Sequence, residues 1–139
     1  MNPTAIFWPM IAHVALVYIV YAVVGRRRVG AVRSGEARVS QFRNRGDEPG
    51  SSAASNANLM NQFELPVLFQ VVCLALFATS GVSCVALALA WIFIVSRYVH
   101  AWVHLTTNRI RHRNPAFVVG AVVLAVLWIY FALHLLAVV

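Results

Sequence analysis

Residues 93–115, FIVSRYVHAWVHLTTNRIRHRNP, decide how the fold of the whole chain is interpreted. The segment starts inside a long apolar run and then carries polar side chains at intervals of three, four, four and three residues. On a helix these positions fall within an arc of about 80° and form a stripe about 20 Å long. The stripe consists of Arg97, His100, His104, Asn108 and Arg111. We therefore expect a membrane helix with one polar face, whose opposite face packs against lipid or a neighbouring helix.

The composition is that of an integral membrane protein. Of 139 residues, 61% are hydrophobic and 11% are charged, and the mean hydropathy is +0.77. A soluble domain is about half apolar and about a quarter charged. The net charge of +7 comes from arginine, since the chain has no lysine. No nucleic-acid-binding motif accompanies this charge, so the sequence favours anionic membrane lipid, and not nucleic acid, as its partner.

Four apolar spans are predicted, at residues 6–24, 63–79, 82–105 and 116–139, within a single domain. Crossing a membrane core about 30 Å thick takes about 20 residues of helix. The lengths of all four spans lie within the usual range of about 17–25 residues. We expect the second helix to extend back to near Ser55. The short segment TSGVS, residues 79–83, predicts that the second and third helices are antiparallel neighbours. Pro115 is expected in the first turn of the fourth helix. The predicted fold is an all-α four-helix membrane bundle.

The arginines predict the orientation of the bundle. One group follows the first span in the loop at residues 25–54, and a second group follows the third span. Two crossings separate these groups, so they lie on one side, which the positive-inside rule makes cytoplasmic. Both termini are then outside, and we expect a multi-pass protein of a bacterial inner membrane. The groups are Arg26, Arg27, Arg28, Arg33, Arg38, Arg43 and Arg45, and Arg109, Arg111 and Arg113.

A second polar group lies in the second span. Asn58, Asn61 and Glu64 recur every three residues, so we expect them on one side of that helix. An ionised carboxylate at membrane depth is costly and usually faces a partner inside the bundle, for which Arg97 and Arg111 are the candidates. The alternatives are a structural ion pair between helices and interhelical hydrogen bonds from the asparagines. Arg109, Arg111 and Arg113 could equally be simple cytoplasmic anchors.

The histidines and cysteines allow several interpretations. His100 and His104 have the spacing by which a helix offers two imidazoles to one metal, with Glu64 or His112 as a third ligand. The neighbouring arginines would repel a cation, and the same stripe suits an anionic organic ligand better. We expect structural roles for the remaining candidates and no part in catalysis, namely His13, His134, Cys73 and Cys84.

Two motifs resemble those of the MAPEG family, the membrane-associated proteins in eicosanoid and glutathione metabolism. They are NQFELPVLF at residues 61–69 and SRYVHAWVHLTTNRIR at residues 96–111. The family includes microsomal glutathione transferases and the leukotriene and prostaglandin synthases. The resemblance also covers the order of four helices, a long basic first loop and a tight second turn. It implies a homotrimer whose sites lie between subunits and open towards the cytoplasmic side.

The resemblance also implies roles for single residues. Arg111 matches the arginine that activates the glutathione thiol. The expected glutathione-binding residues are Arg26, Arg27, Asn61, Glu64, Arg97, His100, His104 and Asn108, with no metal ligand among them. His100 and His104 replace two tyrosines of the characterised enzymes, and Ala57 replaces an arginine. Pro66 follows Glu64 by two residues, where those enzymes have three.

The expected function is that of a glutathione-dependent membrane enzyme, a transferase or peroxidase with glutathione as co-substrate and a lipophilic electrophile as substrate. Ala57 favours the alternative, a non-catalytic scaffold or ligand-binding protein of the same fold. A metal-dependent membrane enzyme that uses His100 and His104 is the third possibility. A single polar stripe in four spans gives no evident pathway for transport.

Overall fold

A computed structural model gives the structure of the protein over residues 2–43 and 48–138. Arg45 lies outside the described residues. Five α-helices account for most of the chain, and no strand occurs in the described residues. Short 3-10 turns precede and follow the first helix at Pro3–Ile6 and Val39–Arg43. The helices are α1 (Phe7–Arg33), α2 (Gly50–Asn61), α3 (Leu65–Ala78), α4 (Cys84–Leu105) and α5 (Ile110–Val138).

Four helical stretches are long and apolar enough to cross a membrane. Their mean hydropathies over an 18-residue window lie between 1.5 and 2.6. The second stretch joins α2 and α3 across a bend, and the other three are single helices, the first with its short 3-10 turn. The predicted all-α fold with four membrane-spanning helices is therefore confirmed. The stretches are Pro3–Arg33, Ser52–Ala78, Cys84–Leu105 and Ile110–Ala137.

The second span differs from the expected continuous helix because it breaks at residues 62–64. Pro66 has no N–H to donate to the carbonyl of Gln62, and its ring would clash with that carbonyl in an unbroken helix. The chain instead turns at Glu64, whose φ is −94° and ψ −107°. Pro66 then occupies the first turn of α3, where an N–H is not needed. The second span does extend back past Ser55 as predicted, but as two helices, α2 and α3, and not as one continuous helix.

The turn between α3 and α4 is as tight as predicted. Gly81 N–H donates to the Leu76 carbonyl at 2.8 Å, and Ser80 adopts the left-handed conformation with φ 57°. These bonds close the end of α3. A Cβ at Gly81 would lie 2.6 Å from the ring of His134. Glycine thus lets α5 approach the turn. There His134 Nε2 lies 3.1 Å from the Thr79 carbonyl oxygen, a contact that joins α5 to the turn.

The end of α4 agrees with the predicted span, but α5 begins earlier than predicted. The third span ends at Leu105, and Asn108 has a φ of 48°, which asparagine tolerates better than most residues. Its N–H donates to the Val103 carbonyl at 2.8 Å. The last helix begins at Ile110, so Pro115 stands inside α5. The expected place of Pro115 in a first turn was wrong. The polar stripe of the third span accordingly stops at His104.

Two apolar clusters hold the helices together. The larger lies towards the α3–α4 turn, where Phe69 and Phe93 stack with ring centroids 4.6 Å apart and Cys73 is fully buried. The smaller includes Leu16 and Ala101 and lies towards the basic end. Packing is most extensive between α4 and α5. The opposite face of α4 is exposed on the single chain, as expected for a surface that meets lipid or another helix: Val95, Val99 and Trp102.

The basic groups lie at one end of the bundle. Arg27 Nη2 donates a hydrogen bond to the carbonyl of Leu105, which joins the basic end of α1 to the last residue of α4. The next residue, Arg28, forms a forked ion pair with Glu48, at 2.8 and 3.1 Å. The Arg28 guanidinium also lies 5.4 Å from the ring centre of Phe42. These contacts fasten the described part of the first loop to α1.

Candidate functional site

Arg97 is the central residue of the candidate site. Its side chain is fully buried on α4, on the predicted polar face. Its Nη2 donates to the backbone carbonyl of Asn61 at 3.1 Å, and its guanidinium lies 5.8 Å from the ring centre of Phe117. Its Nε and Nη1 have no hydrogen-bond partner among the described residues. A buried cation without a carboxylate in ion-pair contact is costly, so the site favours additional negative charge.

A cleft of about 230 Å³ opens next to this arginine. Asn61, which receives the Arg97 hydrogen bond, and Phe117, on which the guanidinium stacks, both form walls of the cleft. The bend at residues 62–64, the end of α4 and the start of α5 meet there. Its lining combines one carboxylate, one guanidinium, two amides, one imidazole and one aromatic ring: Glu64, Arg113, Asn61, Asn114, His100 and Phe117.

Glu64 lies at the cleft but does not form the expected ion pair. It is exposed on the single chain, at the residue that precedes α3. The ion pair of the described residues is Arg28 with Glu48, and none joins Glu64 to an arginine there. The expectation that Glu64 pairs with Arg97 or Arg111 is therefore not met within one chain. Because the helix bends at this point, the carboxylate remains available to a ligand.

Asn58 does not share a face with Glu64, contrary to the expected three-residue pattern. Its side chain is fully buried, and Nδ2 donates to the Ala101 carbonyl of α4 at 3.0 Å. Asn58 Oδ1 accepts from Gln62 Nε2 at 2.8 Å. Asn58 thus forms an interhelical hydrogen bond, which was the alternative role predicted for the asparagines of this span. The bend at residues 62–64 separates it from Glu64.

His100 and His104 are both buried, as expected for the polar face of α4. Their ring centres lie 5.6 Å apart at an interplanar angle of 69°. His100 also lies 5.7 Å from the Phe117 ring centre and lines the cleft, whereas His104, one turn nearer the end of α4, does not line it. No group of three or more potential metal ligands occurs among the described residues. Among these residues, a metal bound by His100 and His104 would therefore have no third ligand from Glu64 or His112.

The remaining expected site residues are not at the cleft of the same chain. Arg111 is exposed on the first turn of α5, and Asn108 is exposed with Oδ1 bonded to Arg113 Nη1 at 2.7 Å. Arg26 is exposed on α1. Arg27 is half-buried and bonded to Leu105 at the end of α4. One chain therefore brings together Asn61, Glu64, Arg97 and His100, and leaves these four outside.

Three residues of the cleft were not expected from the sequence. Arg113 was considered only as a cytoplasmic anchor, and Asn114 and Phe117 were not considered. All three lie on α5, whose start was predicted six residues too late, at residue 116. With α5 beginning at Ile110, Arg113 and Phe117 are four residues apart on one helical face. That spacing was the signal available in the sequence.

The comparisons with known proteins agree with the fold. The model of the MAPEG family matches residues 6–133, nearly the whole chain. A search of the curated proteins and a search of the solved structures each found no significant match. The matched region contains all the residues that line the cleft, as well as Arg97, His100 and His104. This four-span membrane protein therefore belongs to the MAPEG family.

Proposed function

We propose that the protein is a glutathione-dependent membrane enzyme that acts on lipophilic electrophiles. The observation that carries this proposal is the buried guanidinium of Arg97, which has two unpartnered donors beside a cleft with a carboxylate. Glutathione carries two carboxylates and one ammonium group, so it complements both charges. The MAPEG family generally uses glutathione and also contains non-catalytic members.

The lining residues suggest how the ligand would be held. Glu64 would accept hydrogen bonds from the ammonium group, and Arg97 and Arg113 would bind the carboxylates. Asn61 would bind a peptide group of the ligand. The neutral imidazole of His100 would either hydrogen-bond to the ligand or accept the thiol proton. Arg111 would lie near the sulfur and favour the thiolate, the reactive form of the thiol. In a conjugation, this sulfur would form a bond to the electrophilic carbon while the leaving group departs.

The size of the cleft supports a site shared between subunits. Binding cavities for small molecules usually measure about 300–1,000 Å³. The cleft of one chain, at about 230 Å³, is below that range. Arg26 and Arg111 are exposed on the single chain, where a neighbouring copy could use them. We propose a homotrimer in which each cleft is completed by the next subunit, with the basic end of the bundle in the cytoplasm.

The alternative function is a non-catalytic ligand-binding or scaffold protein. Ala57, which stands where characterised members have an arginine, is exposed on α2. A site with one cation fewer could retain the acidic ligand and yet fail to activate its thiol. This alternative predicts glutathione binding without turnover.

One set of measurements on the purified protein in lipid nanodiscs distinguishes these functions. Calorimetry with glutathione and with its S-methyl derivative measures binding, and a chloro-dinitrobenzene or an organic hydroperoxide measures turnover. Binding of both compounds with turnover supports the enzyme. Binding without turnover of either substrate supports the alternative. Absence of glutathione binding rejects the enzyme.

A further inference from the structure

A basic cavity of about 490 Å³ lies between α1, α2 and the turn at Val39–Arg43. It shares no lining residue with the candidate cleft. Its volume is within the usual range of about 300–1,000 Å³ for binding sites. Its charged and amide side chains are Arg28, Arg43 and Asn56, and no carboxylate occurs among the described residues that line it.

Arg28 is held in place at the wall of this basic cavity. Its Nε and Nη2 donate to the two carboxylate oxygens of Glu48 at 2.8 and 3.1 Å, and Nη2 also donates to Asn56 Oδ1 at 3.3 Å. The ring centre of Phe42 lies 5.4 Å from the same guanidinium. The Glu48 side chain is 3% exposed and does not line the cavity, whereas the Arg28 side chain is 35% exposed. The guanidinium is therefore the accessible partner of this ion pair, and the carboxylate is covered.

The charged and amide groups that the basic cavity offers to a ligand are hydrogen-bond donors. Asn56 Oδ1 already accepts from Arg28, so the NH2 group of Asn56 is the part left for a ligand. Arg43 is exposed and forms no ion pair with a described residue. A guanidinium has donors and no acceptor. The cavity thus suits an anion with several acceptor oxygens, such as a phosphate group.

An apolar groove continues from the basic cavity along α1. A second cavity, of about 430 Å³, lies between α1 and α3, and Tyr21 and Phe63 line both cavities. Together the cavities follow about 15 residues of α1, which corresponds to about 22 Å. His13 is hydrogen-bonded to Gln62 and to Gln70, so the polar side chains of the second cavity satisfy one another. Its other walls are apolar or aromatic.

We propose that an anionic phospholipid binds in this continuous groove, with its phosphate at Arg28 and Arg43 and an acyl chain in the second cavity. Guanidinium groups bind phosphate oxygens through charge-assisted hydrogen bonds, and basic pockets at a membrane boundary are common sites for lipid headgroups. A zwitterionic lipid would place its own cation beside two arginines and no accessible carboxylate. Tyr18 and Val67 line the second cavity and are 71% and 48% exposed, so the acyl chain reaches it from the bilayer.

Three compounds test this site on the unaltered protein. They are dioleoyl-phosphatidylglycerol, dioleoyl-phosphatidylcholine, which has the same chains and an added cation, and glycerophosphoglycerol, which has the anionic headgroup without chains. Native mass spectrometry of the protein in detergent counts the bound molecules during each titration. We expect the anionic lipid to bind about tenfold more tightly than the zwitterionic lipid, and the chainless headgroup not to bind at the same concentrations.

Three outcomes of these titrations would overturn the proposal. Equal affinities of the two lipids would show that the arginines do not select the headgroup. Binding of glycerophosphoglycerol as tight as that of the anionic lipid would show that the ligand is a soluble phosphate compound. Failure of all three to bind would show that the groove is closed to lipid, for example by a second copy of the chain.

Two arginine variants separate this site from a general attraction between the basic loop and anionic lipid. Arg43→Gln and Arg38→Gln each remove one exposed charge from the same loop, but only Arg43 lines the basic cavity. Arg43→Gln should weaken binding of the anionic lipid by at least about tenfold, and Arg38→Gln by about twofold or less. Equal losses in the two variants would indicate only a general attraction and would overturn the site.

A variant that fills the apolar part of the groove tests the position of the acyl chain. Val17 lines the second cavity, so Val17→Trp should weaken binding of both dioleoyl lipids by about tenfold. Ile19→Trp is the matched control, because it adds the same side chain at an exposed position of α1 outside both cavities. Unchanged lipid binding in Val17→Trp would overturn the proposal, and if this variant does not fold, the two exposed arginine variants decide. Glutathione plays no part in these measurements, so their outcome is independent of the proposed enzyme.

Discussion

Arg97 Nη2 and the carbonyl of Asn61 are joined by a hydrogen bond of 3.1 Å that links α4 to the last residue of α2. The bond satisfies one nitrogen of a fully buried guanidinium and leaves two without partners among the described residues. A carbonyl oxygen is not a counter-ion, and Glu64 attracts the guanidinium only from beyond ion-pair distance, so the protein compensates the positive charge incompletely. The bond therefore positions Arg97 beside the cleft without neutralising it.

Arg97→Met is expected to separate stability from binding. Methionine has an apolar side chain of similar length and removes the buried charge, so the melting temperature in detergent should stay the same or rise. Glutathione affinity should fall at least about tenfold, since hydrogen bonds to charged groups contribute about 1.5–3 kcal/mol. Tryptophan fluorescence on heating and calorimetry measure the two quantities. A large loss of stability with unchanged glutathione affinity would show that Arg97 is only structural.

Arg113 and Arg111 are expected to affect different steps. Arg113 lines the cleft, so Arg113→Gln should weaken glutathione binding by about tenfold through the loss of a charge-assisted hydrogen bond. Arg111→Ala should retain binding and lose conjugation, because its proposed role is to favour the thiolate. Near-ultraviolet absorbance of the bound thiolate and steady-state kinetics report these effects. Arg109→Gln, in the exposed loop, is the control. Full activity of Arg111→Ala would reject its assignment.

Gly120 and Ser96 set the close approach of α5 to α4. A Cβ at Gly120 would lie 2.6 Å from Ser96 Oγ but 3.7 Å from Ser96 Cβ. Gly120→Ala should therefore destabilise the protein by about 1–3 kcal/mol, the usual cost of overpacking. Adding Ser96→Ala removes the clashing oxygen and should restore most of the loss. Melting temperatures of the two single variants and the double variant provide the test. Additive losses would show that the two helices do not meet at this contact.

The Arg28–Glu48 ion pair should make stability depend on pH. The hydrogen bond from Arg28 lowers the pKa of Glu48 in the folded protein. The contribution of the ion pair to stability is fully present at pH values above the pKa of Glu48 in the unfolded chain, about 4.3. It is lost as the pH falls through the lower pKa that Glu48 has in the folded protein. Glu48→Gln should cost about 1 kcal/mol at neutral pH, and the difference from the unaltered protein should vanish in acid. Glu36→Gln, at an exposed carboxylate, is the control. A constant difference at all pH values would contradict this origin.

The buried face of α4 could be predicted from the sequence alone. Polar residues at intervals of three and four cannot all face lipid at an acceptable cost, so the helix must direct them inward. Arg97, His100 and His104 are accordingly buried, while Val95, Val99 and Trp102 are exposed. This part of the prediction depends only on helical periodicity and on the absence of water from the bilayer core. The number of spans follows in the same way from hydropathy, but their bounds do not, since α1 continues to Arg33 although the first span was predicted to end at residue 24.

The extension of that pattern to Asn108 and Arg111 was wrong because periodicity assumes a continuous helix. Asn108 enters the left-handed region three residues after the end of α4, and this turn reverses the chain before Arg111. The end of a membrane helix depends on which backbone hydrogen bonds and neighbouring helices stabilise its last turn. These are contacts between residues distant in sequence, such as Arg27 with Leu105.

Composition, hydropathy and spacing therefore determined that the chain spans a membrane as helices and that one face of α4 carries buried cations and imidazoles. Only the tertiary structure decided which residues meet at the cleft. The bend before Pro66 places Glu64 beside the start of α5, and α5 contributes Arg113 and Phe117. The physical reason is that a local pattern sets the direction of a side chain around its own helix. Which side chains then meet depends on where the helices bend, end and pack.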